Sequence, residues 1–180
     1  MQYSIENDIL RLTVDSHGAE PVSVIHKPTG AELLWQADPA VCKRHAPILF
    51  PYTGKLTGGK MLAKGVEYAG GQHGFARDVE HTMTHHADNL LEFELHANAE
   101  TLPKWPYAFV LRSTFTLEGE TVHHTLTVEN RVIFMRRYWF SDSYKDIAEV
   151  VGLSEKNVSV RLTRIREKMK QYLIEREVFI

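Results

Sequence analysis

Cysteine is nearly absent: Cys42 is the only one in 180 residues, so no internal disulfide can form. A lone thiol fits a reducing compartment, with the cytoplasm as the expected location. No apolar run approaches the roughly 18 residues that a spanning helix needs, so no membrane partner is expected. The first ten residues, MQYSIENDIL, lack the basic and apolar regions of a signal peptide. Neither an internal repeat nor a low-complexity linker interrupts the chain. Net charge is also small, at −2, but it is unevenly spread. Residues 1–130 carry 10 basic and 16 acidic side chains, and residues 131–180 carry 11 and 7. The balances, −6 and +4, suggest that only the C-terminal part meets a polyanion. A solvated charged helix explains the same numbers equally well.

An apolar share of 43% suits an ordinary globular chain, long enough for one domain or two small ones. The first 130 residues read as strands. Residues 9–14 (ILRLTV) and 92–96 (EFELH) are strand-like. Residues 109–117 (FVLRSTFTL), a turn at Glu118–Glu120 and Thr121 to Val128 predict an antiparallel hairpin with one buried face. Phe109, Leu111, Phe115 and Leu117 share one parity, and Val122, His124, Leu126 and Val128 answer it across the turn. Turn residues recur at Asp15–Gly18, Lys27–Gly30, Gly58-Gly59 and Gly70-Gly71. Strands at this spacing predict a sandwich. After Asn130 the period changes. Val158, Leu162, Ile165, Met169 and Leu173 form one helical stripe. No Pro or Gly follows Gly152, so one helix can run from about Glu155 to Arg176.

The chemistry of the first part gathers in two short segments. Residues 45–51 (HAPILFP) are stiffened at both ends by proline. Lys55 follows, and then Gln72-His73-Gly74-Phe75-Ala76-Arg77-Asp78. An amide, an imidazole and a guanidinium beside an aromatic ring suit a sugar or sugar phosphate. Gln72 and His73 would bond hydroxyls, and Arg77 could clamp a phosphate in bidentate fashion. Asp78 paired with a nearby Lys or Arg is an equally good structural reading.

The run A-P-I-L-F-P-x-x-G-K-L, then Q-H-G-F-A-R-D, then W-P-Y-x-F closing on V-E-N resembles the aldose 1-epimerase (galactose mutarotase-like) family over residues 1–130. It is most similar to the branch that includes hexose-6-phosphate mutarotases. The resemblance implies a large antiparallel β-sandwich that interconverts hexose anomers. By motif, His73 is the catalytic-site residue present, with Gln72, Arg77 and Lys55 contacting a hexose or hexose phosphate. Lys55 stands where the family has an Arg, which keeps the charge and loses the fork. Mutarotation needs a general acid and a general base on opposite sides of the sugar. The family's acid is a second His shortly after the V-x-N strand, and its base is a Glu far downstream. Here Val128-Glu129-Asn130 runs straight into Arg131-Val132-Ile133-Phe134, so neither position exists. The sandwich is therefore expected to be incomplete, about half the family's length, and catalytically dead. Exposed strand edges would then favour self-association.

Other constellations have plainer readings. His81, His85, His86, His123 and His124 are expected at the surface, with no metal, because vicinal histidines on a strand point to opposite faces. Trp35 and Trp105 read as core or cleft walls, and Cys42 as inert. No cofactor is expected.

In the second part, Tyr144 to Val151 can form a helix with Ile147, Ala148 and Val151 facing inward. Gly152 supplies the turn, Leu153 plugs the angle, and Ser154 caps the next helix with Glu155 at its positive end. Ala148, Gly152 and Val158 sit at helix-turn-helix offsets. Opposite the apolar stripe stand Lys156, Asn157, Arg161, Arg164 and Lys168, suited to base edges and phosphates. The core I-A-x-x-x-G-L-S-x-x-x-V-x-x-R-L-x-R-x-R resembles region 4 of sigma-70 family factors over residues 132–178. That resemblance implies promoter DNA and RNA polymerase as partners, with Lys156, Asn157, Arg161 and Arg164 facing DNA. The helix that opens region 4 is cut short at the junction, and region 2 is missing.

The expected fold class is α+β in two parts: an incomplete antiparallel β-sandwich over 1–130, then an all-α helix-turn-helix over 131–180. The favoured reading is a chimera of a carbohydrate-binding half domain and a DNA-binding helix-turn-helix. The alternatives are an active aldose 1-epimerase or hexose-6-phosphate mutarotase-like isomerase, and a non-functional fusion or assembly artefact.

Overall fold

The computed structural model describes residues 1–63, 65–128, 131–138, 140–151 and 153–175; the side chains of Arg131, Val132, Met135, Lys168 and residues 172–175 fall outside the description. The expected seam at Asn130, the turn residue Gly152 and the helix end at Arg176 lie outside the described residues. Contacts divide the chain into two units, Met1–Trp105 with Val110–Thr127, and Pro106–Phe109 with Val128–Ile180.

The strands of the first unit pair antiparallel among the described residues. Strands β1 (Gln2–Glu6), β2 (Leu10–Asp15), β3 (Glu20–His26) and β4 (Ala31–Glu32) pair in chain order. A hairpin of β5 (Lys60–Ala63) and β6 (Val66–Ala69) stands apart. The second large sheet runs β10-β9-β8-β7, from β7 (Thr82–Ala87), β8 (Leu90–His96), β9 (Val110–Glu118) and β10 (Thr121–Val128). Alternation places Leu10, Leu12 and Val14 of β2, Leu91, Phe93 and Leu95 of β8, and Leu111, Phe115 and Leu117 of β9 in the core. Each such side chain, fully buried, stabilises by about 1.5–3 kcal/mol. The sheets meet where Tyr3 of β1 stands edge-on to Phe93, with ring centroids 5.7 Å apart, and where His86 Nε2 reaches the Ser4 carbonyl at 3.1 Å.

The expected hairpin forms at β9 and β10, but only β9 is buried. Its inward residues include Ser113, whose hydroxyl meets His124 Nε2 at 2.8 Å. Leu126 remains 49% exposed on the same face. The apolar face of the sheet is thus uncovered toward β10.

The second unit is helical: α1 (Arg131–Tyr138), α2 (Tyr144–Val151) and α3 (Glu155–Glu175). Ile133, Ile147, Ala148, Val158 and Leu162 form its core, with Tyr144, Val151, Leu153 and Ile165 packed around them. Ser143 caps α2: its hydroxyl accepts the Asp146 N–H at 3.1 Å and donates to Asp146 Oδ2 at 2.6 Å. Ser154 caps α3, accepting the Asn157 N–H at 3.3 Å. No helix among the described residues is long and apolar enough to cross a membrane.

Candidate functional site

Two loops build the first site. The segment through Phe50 and Gly54 lies against the segment through His73 and Gly74. Phe50 carbonyl oxygen accepts the N–H groups of Phe75 and Ala76, at 2.9 and 3.2 Å. His73 N–H donates to the Gly54 carbonyl at 2.8 Å, and the Gly54 N–H returns to His73 Nδ1 at 2.9 Å. Such close docking needs unusual backbone. His73 and Gly74 are consecutive left-handed residues, with φ of +67° and +72°. Lys55 and Gln72 then pair as an isolated antiparallel bridge, which brings the four expected sugar contacts onto two facing segments.

The hydrogen bonding decides what each group can offer. Because Nδ1 of His73 accepts a backbone N–H, the ring proton sits on Nε2, on a half-buried ring. That nitrogen is a donor for a hydroxyl oxygen. Gln72 and Lys55 are exposed. Arg77 is committed locally: Nη2 donates to the Gln72 carbonyl at 2.8 Å, and Nε stands 3.6 Å from Asp78 Oδ2. Its fork therefore braces the loop more than it clamps a phosphate. Phe75 is buried, edge-on to Phe50 at 6.3 Å, with Lys104 Nζ over its ring at 6.0 Å.

Sequence reasoning missed the group beneath this loop. Glu20 is buried, and its Oε1 accepts the N–H groups of His45 and Ala46 at 2.7 and 3.0 Å. Its Oε2 lies 3.3 Å from Arg44 Nη1, which also donates to the Arg77 carbonyl at 3.1 Å. Arg44 Nη2 pairs with Asp78 Oδ1. Asp78 thus has the structural role that was its alternative reading. Arg44 also lines an open cavity of about 320 Å³ with Asp15, His17, Glu20, Val22, Lys43 and His45. No sequence signal marks this clamp, since its members lie more than twenty residues apart.

His81 corrects the expectation of surface histidines. It is 2% exposed, with Nε2 2.9 Å from the Ala76 carbonyl, and burial holds its pKa below the usual value. The reason is that Val79 and His81 turn inward as the chain leaves the site loop. His124, stacked on Phe115 at 4.1 Å, is drawn by desolvation down to about 4. His85, His86, His123 and His124 are exposed, His124 with one ring face covered by Phe115. No cluster that could hold a metal occurs among the described residues. Trp35 is 45% exposed rather than a core residue, because its indole N–H reaches out to the Cys42 carbonyl at 2.8 Å.

In the helical unit, Val158, Leu162 and Ile165 occupy the packed side of α3. Asn157, Arg161 and Arg164, spaced by four and three residues, share one flank. Asn157 and Arg164 are exposed and Arg161 is half-buried. Lys156 is exposed but about 100° around the helix from Asn157. Lys168 continues the Asn157 flank in register, but its side chain lies outside the described residues. Arg136 Nε pairs with Asp142 Oδ2 at 2.8 Å, and Arg137 stacks over Tyr144 at 5.1 Å. These two basic residues brace the α1–α2 turn.

The antiparallel sheets and the His-Gly-Phe loop define a galactose mutarotase-like protein, joined to a helix-turn-helix of the sigma region 4 class. The chain belongs to the aldose 1-epimerase family: that family model matches residues 1–135, and the model for sigma-70, region 4 matches residues 120–169. It is 33% identical over 135 residues to the plasmid-encoded protein LacX of Lactococcus lactis subsp. lactis, covering 72% of this chain and 45% of LacX. A galactose mutarotase related enzyme from Lactobacillus acidophilus shares 37% identity at a TM-score of 0.70, over 71% of this chain and 43% of the other. A galactose mutarotase-like protein from Lactobacillus casei gives 34% and 0.69, over 71% and 44%. The chain thus spans less than half the length of these relatives.

Proposed function

We propose that residues 1–130 form a carbohydrate-binding, mutarotase-like half domain without catalysis, and that residues 131–180 form a DNA-binding helix-turn-helix. The observation that carries the first part is the Gly54–His73 pair of hydrogen bonds, which turns the His73 Nε2–H into a fixed donor beside Gln72, Arg77 and Lys55. A hexose, or a hexose phosphate drawn by Arg77 and Lys55, fits that donor set. Catalysis needs a second proton-transfer group across the sugar, and Val128 is followed within three residues by α1. Polarimetry of pure α-glucose or its 6-phosphate is expected to show the buffer rate. Titration with the same sugars should give weak binding that His73→Ala removes. Acceleration well above buffer, abolished by His73→Ala, would establish an active epimerase instead.

The second part rests on the flank of Asn157, Arg161 and Arg164 on a capped helix whose neighbouring side is packed. Promoter DNA is the proposed ligand, and RNA polymerase a proposed partner. With one reading head, affinity is expected to be no better than about micromolar at physiological salt, and to fall as salt rises. Arg161→Ala should cost roughly 1–3 kcal/mol on a preferred sequence if it reads a base edge. Arg164→Ala should weaken all sequences alike if it meets only phosphate. Fluorescence anisotropy of the full chain with promoter-like and scrambled duplexes at two salt concentrations tests both. Salt-independent binding, or none at low salt, would remove DNA from the reading.

A further inference from the structure

We propose that a second copy of this chain adds to the outer edge of β10, the two β10 strands pairing antiparallel about a two-fold axis at His124. β10 is the last strand of its sheet, and among the described residues no strand pairs with its outer side. It is eight residues long, TVHHTLTV, without a Lys, Arg, Asp, Glu, Pro or Gly. An unpaired edge of that composition is a template for another strand.

The other sheet edges are blunted. β7 carries a register shift between Met83 and His85. β4 is two residues long. β1 ends on Glu6, which is paired with Arg11 and Lys27, and its Ser4 carbonyl already meets His86. Among the described residues β10 is the longest uncharged edge: β7, also uncharged, is six residues long and carries that shift, and β5 and β6 are four residues each with Lys60 and Glu67 on them.

Parity and charge select the second copy. Val122, His124 and Leu126 lie on the face that carries Phe115. With His124 opposite its own counterpart, Val122 falls opposite Leu126, and both apolar faces stay on one side of a continuous sheet. A one-residue slip would set each apolar residue against the Thr and His of the outer face. A charged partner strand would find no countercharge on β10, whereas β10 itself is an uncharged match, and a two-fold interface uses the same patch twice.

Sedimentation velocity of the full chain over a micromolar concentration series is expected to show a monomer–dimer equilibrium. The double variant Thr125→Lys, Leu126→Lys should weaken dimerisation more than about tenfold while keeping the wild-type circular dichroism. In a Cys42→Ser background, His124→Cys is expected to form an intermolecular disulfide on mild oxidation. His123→Cys, which this register sets opposite Thr125 and not opposite its own counterpart, should cross-link far less. A wild-type chain monomeric throughout, undiminished dimerisation of the double variant, or equal cross-linking of the two cysteine variants overturns the proposal. If the double variant loses its fold, the cysteine pair decides alone.

Discussion

Gly74→Ala is expected to destabilise the first unit by about 2–5 kcal/mol and to abolish the proposed sugar binding. Two costs combine. Gly74 has φ +72°, where an L side chain pays about 1–2 kcal/mol. A Cβ there would also overlap the Phe50 carbonyl and come within 2.6 Å of Pro51 N, and backbone cannot step aside as a side-chain tip can. Overpacking of this kind costs about 1–3 kcal/mol. The same carbonyl holds Phe75 and Ala76, so relief of the overlap must pull the His73 loop off the Phe50 segment. Gly119→Ala is the control: φ is +55° there, but nothing lies within 4 Å, so only the conformational cost remains. Urea denaturation of the two variants measures the difference, and equal losses would mean that the close approach at Gly74 is unimportant.

Glu20→Ala should be the other severe change, at about 2–4 kcal/mol. The carboxylate is buried, and it gathers the His45 N–H, the Ala46 N–H and the Arg44 guanidinium. Removal strips two backbone donors of their acceptor and leaves Arg44 with Asp78 as its carboxylate partner. Arg44 is partly open to water, which tempers the charge contribution. The consequence for the candidate site is specific: Arg44 also supports the Arg77 carbonyl, so the His73 loop should loosen before the unit melts. Glu20→Gln keeps an acceptor for the two N–H groups and should lose less. A Glu20→Ala chain as stable as Glu20→Gln, with unchanged sugar titration, would contradict this account.

Much of the architecture is readable along the chain because its causes are local. Alternation at β9, the Ser143 and Ser154 caps and the apolar stripe of α3 each involve residues a few positions apart. The Q-H-G-F-A-R-D and I-A-x-x-x-G-L-S runs identify two families for the same reason. Less legible was β10, whose alternation matches β9 although Leu126 stays half in water. Parity marks which face a residue is on, not whether anything covers that face.

Local pattern along the chain therefore accounts for the two-part organisation, the strand and helix periods, and the residue types present at the two candidate sites. Folding settled the tautomer of His73, the commitment of Arg77 to its own loop, the burial of His81 and the Glu20–Arg44–Asp78 clamp. These outcomes depend on hydrogen bonds and desolvation between segments distant in sequence. A one-dimensional pattern shows which groups are available, and the folded chain settles which of them are already occupied.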